Sequence, residues 1–343
     1  MIIVLALILL FSACRSEADG PEPGVDPAAD EAPASGDDDL AEAADGATIA
    51  SDDRPRRREV KLGLTDWTGS RITLAIAELI IERQLGYPVT AEPVREYGEM
   101  FSALADGDLD AILELWPSTL TESELSYLES GRVSDLGPLG VDGRVGWYVP
   151  RYVIDDDPDL ASWEGFTGPS VADRFETSDT VGGGRFVGID PSYEQFDDEL
   201  IKALDLDFEV VYSGSEQESR ALLAQATADR APILMYWWSP TAEITEFDLV
   251  KVELPVRTSD CLEDHAQGRP MACDYPTDEL FKVGNPDLHD SDPDLARLLS
   301  AFTLSTSDQL AMIHAVEVEG QSISDVAEQW VTDNRAEWSA WIS

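Results

Sequence analysis

From residue 59 onward, short strand-like runs and helix-like runs take turns, and that order leaves few folds open. Glu59–Leu64 (EVKLGL) alternates like a strand, and 72–85 carries apolar residues at helical spacing up to Gly86. Strands follow at Val89–Val94, Leu109–Leu115, Gly146–Val149, Arg185–Ile189, Phe208–Tyr212 and 232–238. Helices are expected at 100–104, near 171–175, at 196–206 and at 219–228. The C-terminal part reads mainly as helices, at 294–302, 307–318 and 323–342, the last broken near Asn334. Such alternation gives α/β layers. A chain of 343 residues exceeds one ordinary domain, and length alone predicts about two. No repeat at a period of about 20–50 residues is present.

One placement points to binding. Trp67, Trp116, Tyr193 and Trp238 each fall within a few residues after an expected strand. In α/β sheets, ligands bind beyond the carboxyl ends of strands. A single Trp or Tyr more often packs in a core, so at this point both readings stand. If several aromatic faces meet at one volume, they suit a quaternary ammonium. That cation has no N–H to donate, and ring quadrupoles attract it at less desolvation cost than buried carboxylates.

The amino terminus sets the expected compartment. Residues 2–11 form an unbroken apolar run followed by Ser12-Ala13-Cys14. Ten residues are too short to span a roughly 30 Å hydrocarbon core, and the pattern reads as a signal-peptide core with a small-residue cleavage site. The Ser-Ala-Cys step resembles a bacterial lipobox, which implies export and lipid anchoring through Cys14, although no basic residue precedes the run and Phe11 replaces the usual leucine. Residues 14–58 then form an acidic linker of Ala, Asp, Glu, Pro and Gly without an aromatic residue. Such a stretch buries too little apolar area to offset its ordering entropy and serves as a tether. Over the whole chain, 69 acidic residues face 23 basic ones, a formal charge of −46, which excludes a general nucleic-acid binder.

With Cys14 assigned to the lipid, Cys261 and Cys273 remain, with eleven residues between them. In an exported protein such a pair favours a disulfide, worth roughly 3 kcal/mol for a loop of this size. The rival is a metal site with His265, which lacks a fourth ligand at useful spacing. Catalytic readings find little support. His265, His289 and His314 stand beside no nucleophile motif, and the GGG at 182–184 begins a strand rather than a phosphate turn. The acidic runs 155–159 and 290–294 lack the glycine and glutamate of a calcium loop. The chain is therefore not expected to be an enzyme, and no metal or other cofactor is implied.

The body resembles the glycine betaine/choline/proline-betaine substrate-binding proteins of ABC importers, from about Val60 to Ile342. The carrying stretches are LGLTDWTGS (62–70), LADGDLDAILELWPS (104–118), GRVGWYVPRYV (143–153), FVGIDPSYE (186–194), APILMYWWSP (231–240) and EQWVTDNRAEWSAWI (328–342). The resemblance implies a periplasmic-binding-protein-like type II clamshell, α/β in class, with the ligand between two lobes. The chain would cross between lobes near Val149 and near Pro255, giving a first lobe from 59–149 and 257–343 and a second from 150–256. By the same resemblance Trp67 and Trp116 are first-lobe cage aromatics, Trp238 is the second-lobe cage tryptophan, and Tyr193 stands where a betaine binder has tryptophan. Trp147 lies close to a position where choline binders supply tyrosine. Trp237 is the runner-up to Trp238, because adjacent strand residues face opposite sides. The family's carboxylate site implies the backbone N–H groups of Glu194 and Gln195, ahead of the helix expected near Phe196.

Three positions depart from the family's pattern. Choline-dedicated members carry aspartate where this chain has Gly69, and some betaine binders a histidine where it has Leu120. The small residues usual after GIDP are replaced by Ser192-Tyr193-Glu194. The expected function is an extracytoplasmic, lipid-anchored, monomeric solute-binding protein. It would take a glycine betaine-like quaternary ammonium and hand it to a membrane permease. The alternative is an exported sensor or surface protein using the same clamshell for another small cationic or zwitterionic ligand.

Overall fold

The computed structural model describes residues 57–342 apart from Asp66, Arg95, Glu96, Val181, Ser192 and Glu194. The expected signal segment, Cys14, the linker up to residue 56, and Glu194 lie outside the described residues. Among the described residues nine strands form one sheet. They are β1 (Val60–Leu64), β2 (Val89–Pro93), β3 (Ala111–Leu115), β4 (Ser134–Pro150), β5 (Gly184–Gly188), β6 (Phe208–Tyr212), β7 (Leu234–Ser239), β8 (Leu249–Lys251) and β9 (Thr277–Gly284). The order is β2-β1-β3-β9-β4-β7-β5-β6, with β8 paired to β4. Two parallel wings, β2-β1-β3 and β7-β5-β6, are thus joined through the antiparallel pair β9 and β4.

Each wing has its own core. Leu62, Ile72, Ile76, Leu298, Phe302 and Trp330 belong to the first, where the helix Thr68–Ile80 packs on Ile323–Asp333. Trp147, Phe166, Phe186, Leu234 and Trp237 belong to the second. A smaller cluster around Phe101, Ile112 and Val283 adds to the first wing. The arrangement is the two-lobed α/β clamshell that the sequence implies.

Several elements differ from the sequence reading. β4 was expected only at Gly146–Val149 and runs for 17 residues. Its first half, SDLGPLG, holds glycines and a proline, and its pairing with β9 shifts register between Asp135 and Gly137 and again between Pro138 and Asp142. These irregularities erase the period-2 signal. β9 was not foreseen because its inward positions include Asp278 and Lys282, 2% and 0% exposed. Charged residues on the buried face disguise a strand. The helices Glu122–Glu129 and Ser259–Ala266 were also missed, and the helix near 171–175 is a short turn, Pro169–Ala172.

The passage between cores falls inside β4. Leu139 and Val141 pack in the first cluster, while Trp147 packs in the second. Up to Arg144 the strand pairs with β9, and from Arg144 onward with β7. On the way back, Tyr275 still packs in the second cluster, twenty residues beyond the crossing expected near Pro255, and β9 begins at Thr277.

Candidate ligand-binding cleft

The strand ends deliver aromatic rings to one cavity of about 1010 Å³. Trp67 ends the turn after β1 and stands at the N-terminal cap of Thr68–Ile80. Trp116 follows β3 directly and begins the turn Pro117–Thr119. Their rings meet edge to face, 5.9 Å between centroids at 63°. Both glycines near them are required by contact. A Cβ at Gly143 of β4 would lie 2.3 Å from Trp116 Cζ3, and one at Gly69 would lie 2.9 Å from Trp67 Cη2. The Trp116 turn is tied down by Asp278 of β9, whose carboxylate accepts from the Ser118 backbone N–H (2.8 Å) and hydroxyl (2.6 Å).

The opposite wall comes from the second core. Tyr193, in the loop after β5, lies 5.8 Å from Trp238 at 35°, and Tyr236 lies 6.4 Å from Trp238. Trp238 lines the cavity, whereas Trp237 is fully buried and donates its indole N–H to Thr241 Oγ1 at 2.9 Å. Strand alternation separates the two neighbours. Phe196 and Tyr275 stack at 4.0 Å and also line the cleft.

Trp147 takes another place than the sequence implied. Trp147 is 0% exposed and lies one layer behind the cleft. Its indole N–H donates to Asp197 Oδ1 at 2.7 Å, and the Tyr275 hydroxyl donates to the same oxygen at 2.8 Å. The Tyr275 oxygen in turn accepts from the Phe196 N–H at 3.2 Å. Trp147 therefore reaches the cleft through Asp197 and Tyr275 rather than by its own ring. Burial raises the Asp197 carboxyl to about 7 against these two hydrogen bonds. The Gln195 side chain folds back on its loop, accepting from the Ile189 N–H (3.1 Å) and donating to the Asp190 carbonyl (2.7 Å). The helix beyond it spans Asp197–Ala203 and opens with Asp197, Asp198 and Glu199, which repel an anion at that end.

Tyr97, Phe196, Tyr236 and Tyr275 line the cleft and were not singled out in the sequence. Tyr236 carried a signal, since it sits two residues before Trp238 on the same strand face. Burial pushes up the Tyr97 hydroxyl, as it does that of Tyr275. Behind Trp116, Glu114 is 2% exposed, and desolvation lifts its carboxyl to about 8 although Gln309 and Thr73 donate to it at 2.8 and 3.2 Å.

Cys261 and Cys273 form a disulfide, which ends the metal alternative. The His265 ring faces Glu199 at 3.4 Å instead, and His314 Nδ1 bonds the Thr245 hydroxyl at 2.8 Å. The disulfide closes a loop whose Leu262, His265 and Met271 face the cleft. Among the described residues no group of His, Cys, Asp and Glu could hold a metal ion, and no helix is long and apolar enough to cross a membrane.

Residues 58–333 match the family described as the substrate-binding domain of ABC-type glycine betaine transport systems. The chain belongs to this family. Members of the glycine betaine-type family bind substrate for transport and are not enzymes. A curated relative, the trimethylamine N-oxide-binding protein of Pelagibacter ubique, is 26% identical over 247 residues, 70% of this chain and 77% of that protein. The fold is similar to that of the lactococcal family protein in its closed form with glycine betaine, with a TM-score of 0.58 at 18% identity, covering 84% of this chain and all of that one. A choline-binding ABC-transporter protein in complex with choline gives 0.55 at 19% identity, covering 83% and 92%.

Proposed function

We propose that the cleft captures a small quaternary-ammonium solute of the glycine betaine type and that the protein delivers it to the permease of an ABC importer. The observation that carries this reading is the meeting at a single cavity of Trp116, packed on the first core, and its neighbour Trp67 with Trp238, packed on the second core, and its neighbour Tyr193. Four ring faces attract a methylated cation, and rings drawn from both cores make that attraction strongest when the halves approach. Closure around the solute is then the signal the permease reads. Lipidation at Cys14 would hold the protein at the outer face of the membrane, and replacing Cys14 with serine should release it from the membrane fraction.

Isothermal titration of the purified protein with glycine betaine, proline betaine, choline and carnitine tests the reading. Each desolvated cation–π contact contributes about 2 kcal/mol. Trp116→Ala and Trp238→Ala should therefore each weaken binding roughly thirtyfold. Undiminished affinity in the double variant would remove the cage from the account. The likeness to the trimethylamine N-oxide-binding relative makes that compound the second solute to titrate. It presents the same three methyl groups to the rings.

A further inference from the structure

The cage takes the solute's cation and leaves its other end to be placed. The Gln195 side chain is occupied with its own loop, which leaves only backbone N–H groups there, and the acidic first turn after them repels an anion. Four ionisable side chains line the cavity elsewhere: Glu216, Arg257, His265 and Asp278. Asp278 holds the Trp116 turn through Ser118. Burial and then the nearby Glu216 carboxylate push up the Tyr193 hydroxyl, and His265 faces the Glu199 carboxylate.

Arg257 differs from these three. Its Nη1 donates to the Asp274 backbone carbonyl at 3.0 Å, a neutral oxygen. The Asp274 carboxylate is already taken by Lys251 Nζ, at 2.8 and 2.6 Å. Among the described residues no carboxylate stands within 4.0 Å of the Arg257 guanidinium. In a chain with 69 acidic residues against 23 basic ones, a half-buried arginine that lines the cleft with no described carboxylate within 4.0 Å is informative. A guanidinium keeps its charge, and its planar fork matches a carboxylate. The backbone beside it is well fixed. The Asp274 N–H donates to the Pro255 carbonyl at 2.8 Å, Thr258 caps the helix Ser259–Ala266, and the disulfide closes the loop.

We propose that Arg257 binds the anionic group of the solute, so that the cleft selects zwitterions, quaternary ammonium compounds bearing a carboxylate, over plain cations with the same head group. The inference rests on the cage reading and extends it from the head group to the whole solute. The cavity, at the upper end of the roughly 300–1,000 Å³ range of small-molecule sites, leaves room for the two charges to be held apart.

Choline and glycine betaine decide the matter, because they share the trimethylammonium group and differ in the carboxylate. We would titrate the full chain and its Arg257→Met variant with glycine betaine, γ-butyrobetaine and choline, and record the melting temperature of each protein without solute. The native protein should bind a betaine more tightly than choline. Arg257→Met should lose roughly tenfold to a thousandfold in betaine affinity while choline binding stays within about twofold. Equal weakening for betaine and choline, or a lowered melting temperature, would make Arg257 a structural residue and overturn the assignment. So would unchanged betaine binding in the variant. A native protein that prefers choline would keep the cage and sink the Arg257 subsite. One that binds none of the three would sink the cage reading itself.

Discussion

Gly143 lets the Trp116 ring lie flat against β4. A methyl group there would stand 2.3 Å from the ring, so Gly143→Ala must push Trp116 toward the cavity or out of its rotamer. Overpacking of this kind costs about 1–3 kcal/mol. Urea unfolding should show a loss of that size, and titration should show weakened solute binding. Gly69 has the same relation to Trp67, since a Cβ there would stand 2.9 Å from its ring. Glu114 makes a prediction about pH. Its carboxyl is raised from 4.5 to about 8, so between those values the unfolded chain has lost a proton that the folded one keeps. The stabilisation is complete below about pH 4.5 and is lost as pH rises toward 8, with a slope of at most about 1.4 kcal/mol per pH unit. Glu114→Gln should flatten that slope in melts recorded from pH 5 to 8. Single residues were legible in the sequence where they followed a strand end. Trp67, Trp116, Tyr193 and Trp238 were reached that way, and they share the cleft. Tyr97 opens a helix and Tyr275 lies two residues past the disulfide-closed loop, so neither carried that mark. Trp147 shows the limit of register, since α-helical Asp197 intervenes between its ring and the cavity.

At the level of elements, regular pattern was readable and irregular pattern was not. β1, β3, β5, β6 and β7 fall within a few residues of their expected bounds because their burial follows from Val, Ile, Leu and Phe. β4 and β9 escaped because one is broken by glycines and register shifts and the other buries an aspartate and a lysine. Lys282 is held by the carbonyls of Ser300 and Phe302, and burial lowers its pKa to about 8. Such bonds are invisible until the sheet is assembled. The loop between Cys261 and Cys273 leads to its own prediction. Opening a ring with a sequence separation of 12 should cost about 3 kcal/mol. Calorimetry of the Cys261→Ser, Cys273→Ser double variant should show a melting temperature lower by on the order of 5–10 °C. Reductant should then have no further effect on it.

For the whole molecule, charge is the first consideration. With a formal charge of −46, the chain repels itself at long range. Raising KCl from about 0.1 M to about 1 M shortens the screening length from about 10 Å to about 3 Å. The melting temperature should rise over that interval, and a constant value would show that the acidic residues are already compensated locally. The two cores are connected by β4 and by the return into β9, and these strands are hydrogen-bonded neighbours, with Arg144 opposite Thr277 where β4 exchanges one partner for another. In mechanical terms the pair is a leaf spring. Two ribbons bonded along their length bend together easily, yet resist sliding past each other or twisting independently. If the proposed solute draws the two cores together, bending this bonded ribbon keeps the β4–β9 pairing, whereas sliding would break it.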